Sequence, residues 1–350
     1  MSAPAPKTAP KPAPEPGAIH PAPIMELIDL RKTYAPKIDM VGRLSRRLRG
    51  KPASEEVKAV DGVNLRIQPG ELVGLVGESG CGKSTLGRVM AGIHEPTSGE
   101  VVWRGRNMRN MQPHERRAAR RKAQMVFQDP FASLNPRMTV RDLVGQAPRV
   151  HGTVPAAEID DHVRGLMETV GLPPAYADRY PHQFSGGQRQ RIGIARALAV
   201  NPEFVVCDEP VAALDVSIQA QVINLFMDLR ERLKLTYLFI SHDIGVIEHL
   251  SDRIVIMYLG RVIESAPTEA LFAGANHPYT VNLLEGAPRL DRRKVAYTPI
   301  SGELPSPLNP PRGCHFHPRC PFATARCKAE APALREVAPG HMSACHLNDG

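Results

Sequence analysis

The run Gly77-Glu78-Ser79-Gly80-Cys81-Gly82-Lys83-Ser84-Thr85 fits the pattern G-x-x-x-x-G-K-[ST] and constrains the fold more than any other stretch of the chain. Its glycines let the backbone curl until several N–H groups converge on one point, where a phosphate fits. Short apolar runs bounded by Gly and Pro precede it within residues 57–76, and a helical pattern follows from Lys83 to Ile93. Strand, glycine-rich turn and helix in that order open a nucleotide-binding α/β unit. The helix N-terminus adds positive potential facing an anion. In such a loop Lys83 bridges the β- and γ-phosphates of ATP and Ser84 holds Mg²⁺, while Gly77, Ser79, Gly80, Cys81, Gly82 and Thr85 complete the cradle.

A second nucleotide motif is expected at Phe204-Val205-Val206-Cys207-Asp208-Glu209, an apolar strand ending in two carboxylates. Asp208 is placed to hold Mg²⁺ and Glu209 to accept a proton from an attacking water. Leu235–Ile240 is another short apolar run, as expected for a strand buried on both faces. Residues 253–264 fit a hairpin turning near Gly260. Residues 129–184 are punctuated by proline and carry an amphipathic segment at Val163, Leu166, Met167 and Val170, which predicts a small inserted helical subdomain.

The run Phe184-Ser185-Gly186-Gly187-Gln188-Arg189-Gln190-Arg191 resembles the signature sequence of ATP-binding-cassette (ABC) proteins. Ser185 can cap the helix that follows, and Gly186 and Gly187 permit close backbone approach. The resemblance implies that Ser185, Gly186, Gly187 and Gln188 contact ATP held by a partner's phosphate loop, so that hydrolysis requires a dimer. Other family motifs follow in order. Gln128, in Val126-Phe127-Gln128-Asp129-Pro130, matches the glutamine that contacts Mg²⁺ and the water. Ala213-Leu214-Asp215 matches the loop that communicates across the dimer, with Ala212 where the family commonly has Ser. His242 matches the histidine that contacts the γ-phosphate and orients the catalytic glutamate, and Tyr34 the aromatic that stacks on adenine.

The resemblance covers roughly residues 25–265 and narrows further beyond them. His277-Pro278-Tyr279-Thr280, Gly302-Glu303-Leu304-Pro305-Ser306-Pro307 and Phe131-Ala132-Ser133-Leu134-Asn135-Pro136-Arg137-Met138 are similar to stretches of the ATPases of dipeptide and oligopeptide importers. That likeness implies peptide transport; the chemistry of these stretches does not.

Six cysteines are present, four of them crowded at Cys314, Cys320, Cys327 and Cys345. In a cytosolic chain such a group points to metal before disulfides. Four thiolates suit a [4Fe–4S] cluster or a tetrahedral Zn²⁺, and His315, His317, His341 and His346 nearby keep zinc open. The importer extension that this segment resembles carries four such cysteines, associated with an iron–sulfur cluster.

The chain has 350 residues and a formal net charge of +8. Basic clusters lie at Arg43, Arg46, Arg47, Arg49 and Lys51, and at Arg116, Arg117, Arg120, Arg121 and Lys122. Aromatic residues make up 5%, and neither cluster has aromatics interleaved, so a solvated loop and a solvated helix face are favoured over nucleic-acid binding. No apolar run reaches the roughly 18–20 residues needed to span a bilayer. The Ala-Pro-Lys-rich start lacks the apolar core of a secretory signal.

The expected architecture is therefore α/β: a disordered tail over 1–23; a P-loop ATPase core of the ABC type over 24–268, with a helical subdomain at about 129–184; and a small Cys-containing extension over 269–350 that stands as a separate appendage. The expected activity is ATP hydrolysis powering dipeptide or oligopeptide import. The partners implied are a second ATPase subunit, two membrane permease subunits and an extracytoplasmic solute-binding protein, with this chain at the cytoplasmic face of the membrane. A soluble cassette ATPase of DNA repair or translation is the alternative; such proteins usually carry a long coiled-coil insertion or two cassettes.

Overall fold

The computed structural model describes residues 22–35, 56–286 and 302–349. Most of the expected N-terminal tail, the loop over 37–56 apart from Glu56, and the first basic cluster lie outside the described residues.

Three five-residue strands, β3 (Leu72–Val76), β7 (Phe204–Asp208) and β8 (Thr236–Ile240), are buried along their whole length. They lie at the centre of a sheet ordered β11-β12-β10-β9-β3-β8-β7-β6, with β6 at Ala123–Val126, β9 at Arg253–Tyr258, β10 at Arg261–Pro267, β11 at Arg335–Ala338 and β12 at His341–Ser343. The five strands from β6 to β9 run parallel. Period-two alternation splits each central strand between two cores. Val73, Leu75, Val206, Leu238 and Ile240 face one core, shared with α1 (Lys83–Met90) and with an antiparallel sheet of β1 (Met25–Tyr34), β2 (Val57–Ile67), β4 (Ser98–Trp103) and β5 (Arg106–Asn107). Leu72, Val76, Cys207, Tyr237 and Phe239 face the other. A parallel sheet covered on both sides explains why these strands read as continuous apolar runs.

The second basic cluster lies on α2 (Pro113–Lys122). Arg120 pairs with Glu95, and Lys122 with Glu203 and the Asn201 carbonyl, so the cluster is a helix face laced with local ion pairs. The expected helical subdomain contains α3 (Pro130–Ser133), α4 (Val140–His151) and α5 (Ile159–Thr169), where Val163 and Met167 are the buried stripe. It leans on α6 (Gly186–Leu198). The long helix α7 (Val216–Leu233) covers the same face of the main sheet, followed after β8 by α8 (Ile244–Leu250). The β9–β10 hairpin turns at Leu259 and Gly260, both at positive φ (41° and 81°), matching a tight two-residue turn.

The C-terminal region does not stand apart. After α9 (Thr268–Ala273) and α10 (Pro278–Glu285), and beyond α11 (Ala325–Ala329), strand β12 (His341–Ser343) pairs antiparallel with β10, and β11 (Arg335–Ala338) with β12. The extension thus prolongs the ATPase sheet by two strands. No local pattern announces this, because the strands are three and four residues long and their partner lies far back in sequence.

Two contacts fix the join. Phe316 is buried against Tyr258, Tyr279 and His277, with ring centroids 5.4, 5.5 and 5.7 Å away. Burial lowers the His277 pKa to about 4, so its ring is neutral and its Nδ1 accepts the Tyr279 N–H. Glu264, fully buried on β10, accepts from the Asn276 N–H (2.7 Å), the His277 N–H (2.9 Å) and the His341 ring Nε2–H (2.6 Å). One carboxylate therefore ties β10, the start of α10 and β12 together. Removing an acceptor that serves three donors, two of them in buried bonds, costs more than a single hydrogen bond. Glu264→Ala is expected to lower unfolding stability by about 3–5 kcal/mol in urea titrations, with β12 losing amide-exchange protection first. A loss under about 1 kcal/mol would mean that water replaces the carboxylate.

Candidate nucleotide site

Because β3, β6, β7 and β8 are parallel, their carboxyl ends share one edge of the sheet, where open α/β sheets bind ligands. The loop after β3 turns into α1 at Gly82, whose φ is 107°. A Cβ there would lie 2.0 Å from the Ala59 carbonyl oxygen, so only glycine fits. No side chain caps α1, which leaves its first N–H groups for a ligand. Ser79 and Gly80 are exposed at the tip of the loop, Cys81 is buried beneath it, and Thr85 is half-buried on α1. Lys83 curls back over the loop and donates to the carbonyls of Gly77 (2.7 Å) and Glu78 (3.0 Å).

The end of β7 meets this loop. Ser84 Oγ donates to Asp208 Oδ1 at 2.8 Å. Burial pushes the Asp208 carboxyl up, and the Ser84 hydroxyl opposes that shift. A hydroxyl and a carboxylate held side by side are hard oxygen donors of the kind Mg²⁺ takes, so these residues fit the ion. Next along the chain, Glu209 adopts φ 45°, an unusual backbone state for a non-glycine residue and one that clusters at functional sites. Its Oε2 accepts from Gln128 Nε2 at 2.8 Å and contacts His242 Nδ1 at 3.3 Å. Gln128 follows β6 and His242 follows β8, so three strand ends converge on one carboxylate oxygen.

The signature residues sit apart from this group. Ser185 caps α6 in a reciprocal box with Gln188: Ser185 Oγ accepts the Gln188 N–H (3.4 Å), and Gln188 Oε1 accepts the Ser185 N–H (3.0 Å). A Cβ on Gly187 would meet Ile218 of α7 at 2.5 Å, so α6 and α7 start in close contact. Ser185 is exposed, and its cap bonds are made within its own turn rather than to the phosphate loop. Tyr34 ends β1 and is 37% exposed; its ring meets His94 edge-on (6.0 Å, 80°), with Lys32 Nζ 5.2 Å from the ring centre.

The four C-terminal thiols are free and half-buried. They neighbour one another: Cys314 N–H donates to the Cys327 carbonyl at 2.8 Å, and Cys327, Cys345 and Cys320 all push the Cys314 thiol up, after the larger effect of burial, to about 11. Among the described residues, however, no group of three or more Cys, His, Asp or Glu side chains is arranged to hold a metal. Two residues that bear on the phosphate loop escaped the sequence reading: Arg319, which no local signal marks, and Tyr279, noted only as part of a resemblance.

Residues 60–212 match the ABC transporter family and residues 263–327 the oligopeptide/dipeptide transporter C-terminal region. The chain is 49% identical over 328 residues to the oligopeptide transport ATP-binding protein AppF of Bacillus subtilis (strain 168), covering 93% of this chain and 97% of the relative. It is 46% identical over 327 residues to the dipeptide transport ATP-binding protein DppF of Haemophilus influenzae, covering 92% and 96%. Among solved structures, the dimeric post-hydrolysis state of the ATP-binding cassette MJ0796 bound to ADP and Pi superposes with a TM-score of 0.59 at 30% identity, over 70% of this chain and 98% of that one. CbiO1 from Clostridium perfringens gives 0.59 at 26% identity, over 75% and 95%. The chain belongs to the ABC transporter ATPases, within the group that carries the oligopeptide/dipeptide transporter C-terminal region.

Proposed function

We propose that this chain binds MgATP at residues 77–85 and hydrolyses it, as one of a pair of ATPase subunits, to power the import of dipeptides or oligopeptides. The observation that carries the catalytic part is the Glu209 carboxylate, held by Gln128 and His242 beside the Ser84–Asp208 pair. The peptide assignment rests on the names of the relatives and on the matching C-terminal region.

In this reading the N–H groups of the loop and of α1 bind the β-phosphate, and Lys83 leaves the Gly77 and Glu78 carbonyls to bridge β- and γ-phosphates. Ser84, Asp208 and Gln128 hold Mg²⁺, which supplies neutralisation of phosphate charge. Both side-chain contacts of Glu209 fall on Oε2, so Oε1 is left to take the proton of the attacking water. His242 orients Glu209 and reaches the γ-phosphate, while Tyr34 stacks on adenine once the Lys32 ammonium moves aside. Ser185, Gly186, Gly187 and Gln188 offer the N-terminus of α6 to the nucleotide of the partner ATPase.

No helix among the described residues is long and apolar enough to cross a membrane. We therefore assign the membrane path to two separate permease subunits and place this chain peripherally at the cytoplasmic face. A second ATPase subunit of a different sequence and an extracytoplasmic solute-binding protein complete the complex.

Glu209→Gln is expected to leave ATP affinity unchanged and to slow turnover of the assembled transporter by about 10²–10⁴-fold; turnover near wild type would remove Glu209 as the base. Ser185→Arg is expected to abolish hydrolysis while the isolated chain still binds ATP, because the arginine would obstruct the partner's site. Survival of nucleotide-driven dimer closure in that variant would contradict a shared site.

We also assign Cys314, Cys320, Cys327 and Cys345 as ligands of a [4Fe–4S] cluster, with Zn²⁺ as the alternative, on the strength of four free neighbouring thiols. Metal and sulfide analysis of anaerobically purified protein should find about four irons and four sulfides per chain. Stoichiometric zinc without iron would replace the cluster, and neither metal would dismiss the site.

A further inference from the structure

Glu78 is a variable position of the phosphate-loop pattern, yet every polar group it has is engaged. Its carbonyl accepts from Lys83 Nζ at 3.0 Å, within the loop itself. Its N–H donates to the Tyr279 hydroxyl at 3.0 Å. Its two carboxylate oxygens accept from one nitrogen of Arg319, Nη1, at 3.0 and 2.9 Å. Tyr279 and Arg319 both lie in the C-terminal region, Arg319 at a distance of 241 residues.

Neither partner is a casual surface contact. Tyr279 is fully buried among Tyr258 and Phe316. Arg319 ends the short 3₁₀ turn His317–Arg319, keeps only 8% of its side chain exposed, and also approaches the Tyr258 hydroxyl at 3.4 Å. Its Nη1 therefore carries the polar contacts that hold this buried side chain, to Glu78 and to the Tyr258 hydroxyl.

The chemistry at Glu78 raises a problem that Arg319 solves. A phosphate loop concentrates N–H groups for a polyanion, and a free carboxylate on the same loop would repel that polyanion. Arg319 neutralises the carboxylate, and Tyr279 fixes the N–H of the same residue. We propose that Arg319 and Tyr279 are positioning residues for ATP binding: the C-terminal region presets the phosphate loop and cancels the Glu78 charge. The proposal rests on residues 77–85 being the phosphate loop.

MgATP titration of the full chain by calorimetry tests it, alongside thermal unfolding. Arg319→Met should weaken MgATP binding about tenfold, the scale of a lost charge-assisted contact, in a protein that still unfolds in one cooperative thermal transition. Because a single nitrogen makes both bonds to Glu78, a point charge can replace it, and Arg319→Lys should recover affinity to within about twofold. Adding Glu78→Gln to Arg319→Met should also restore binding, since the unpaired carboxylate is then gone; two additive losses would overturn the charge argument. Tyr279→Phe removes only the hydroxyl and should weaken binding about threefold. It carries the test if Arg319→Met does not fold, and wild-type affinity in either folded variant overturns the proposal. Lys83→Ala separates the premise: it should abolish binding, and if it does not, the loop assignment itself fails.

Discussion

Parallel pairing of β6, β7, β8 and β3 is the constraint on which the site depends. Parallel strands deliver their carboxyl ends to one edge, and each end here releases a different chemical group. β3 releases the phosphate loop, β7 the carboxylates Asp208 and Glu209, β8 His242 and β6 Gln128. No single contact among these groups is strong, but the strands are buried on both faces and cannot slide without moving two cores. The 2.8 Å Ser84–Asp208 and Gln128–Glu209 contacts are consequences of strand order more than of mutual attraction.

What was legible in the sequence follows from how far each pattern reaches. The phosphate loop and the end of β7 are contiguous, and their residue types are dictated by what the backbone must do. The capping box at Ser185 and Gln188 was half visible: the serine announced itself, while the returning Gln188 bond shows only in three dimensions. The hairpin at Leu259 and Gly260 could be placed from its glycine, although a leucine at positive φ has no sequence signal. The long-range partners were illegible. Nothing near Glu264 says that His341 will meet it, and nothing near Glu78 points to Arg319. In sequence the extension over 269–350 reads as a separate appendage, because short strands and a proline-rich path hide the fact that β12 pairs back to β10.

Two carboxylates show how the C-terminal region is joined to the ATPase. Glu264 is fully buried and satisfied by three donors; the Glu78 carboxylate is partly open to solvent and answered by Arg319, while the Glu78 N–H is taken by the Tyr279 hydroxyl. The first is a matter of folding, since an unanswered carboxylate in that place is very unfavourable. The second lies at the chemistry, where charge in the wrong place changes what the loop attracts. Phe316, packed between Tyr258 and Tyr279, sits between the two and makes them parts of one packed unit.

The pairing of β10 with β12 also imposes an order in time. Glu264 and His341 stand 77 positions apart, so a ribosome moving at roughly 5–20 residues per second exposes β10 for about 4–15 s before its partner strand has been made. During that interval β10 is an open sheet edge carrying a buried-type carboxylate that still lacks one of its three donors, the kind of edge that recruits other chains. Nascent ATPase cores are thus vulnerable to one another at a defined moment of synthesis, and the emergence of β12 ends it.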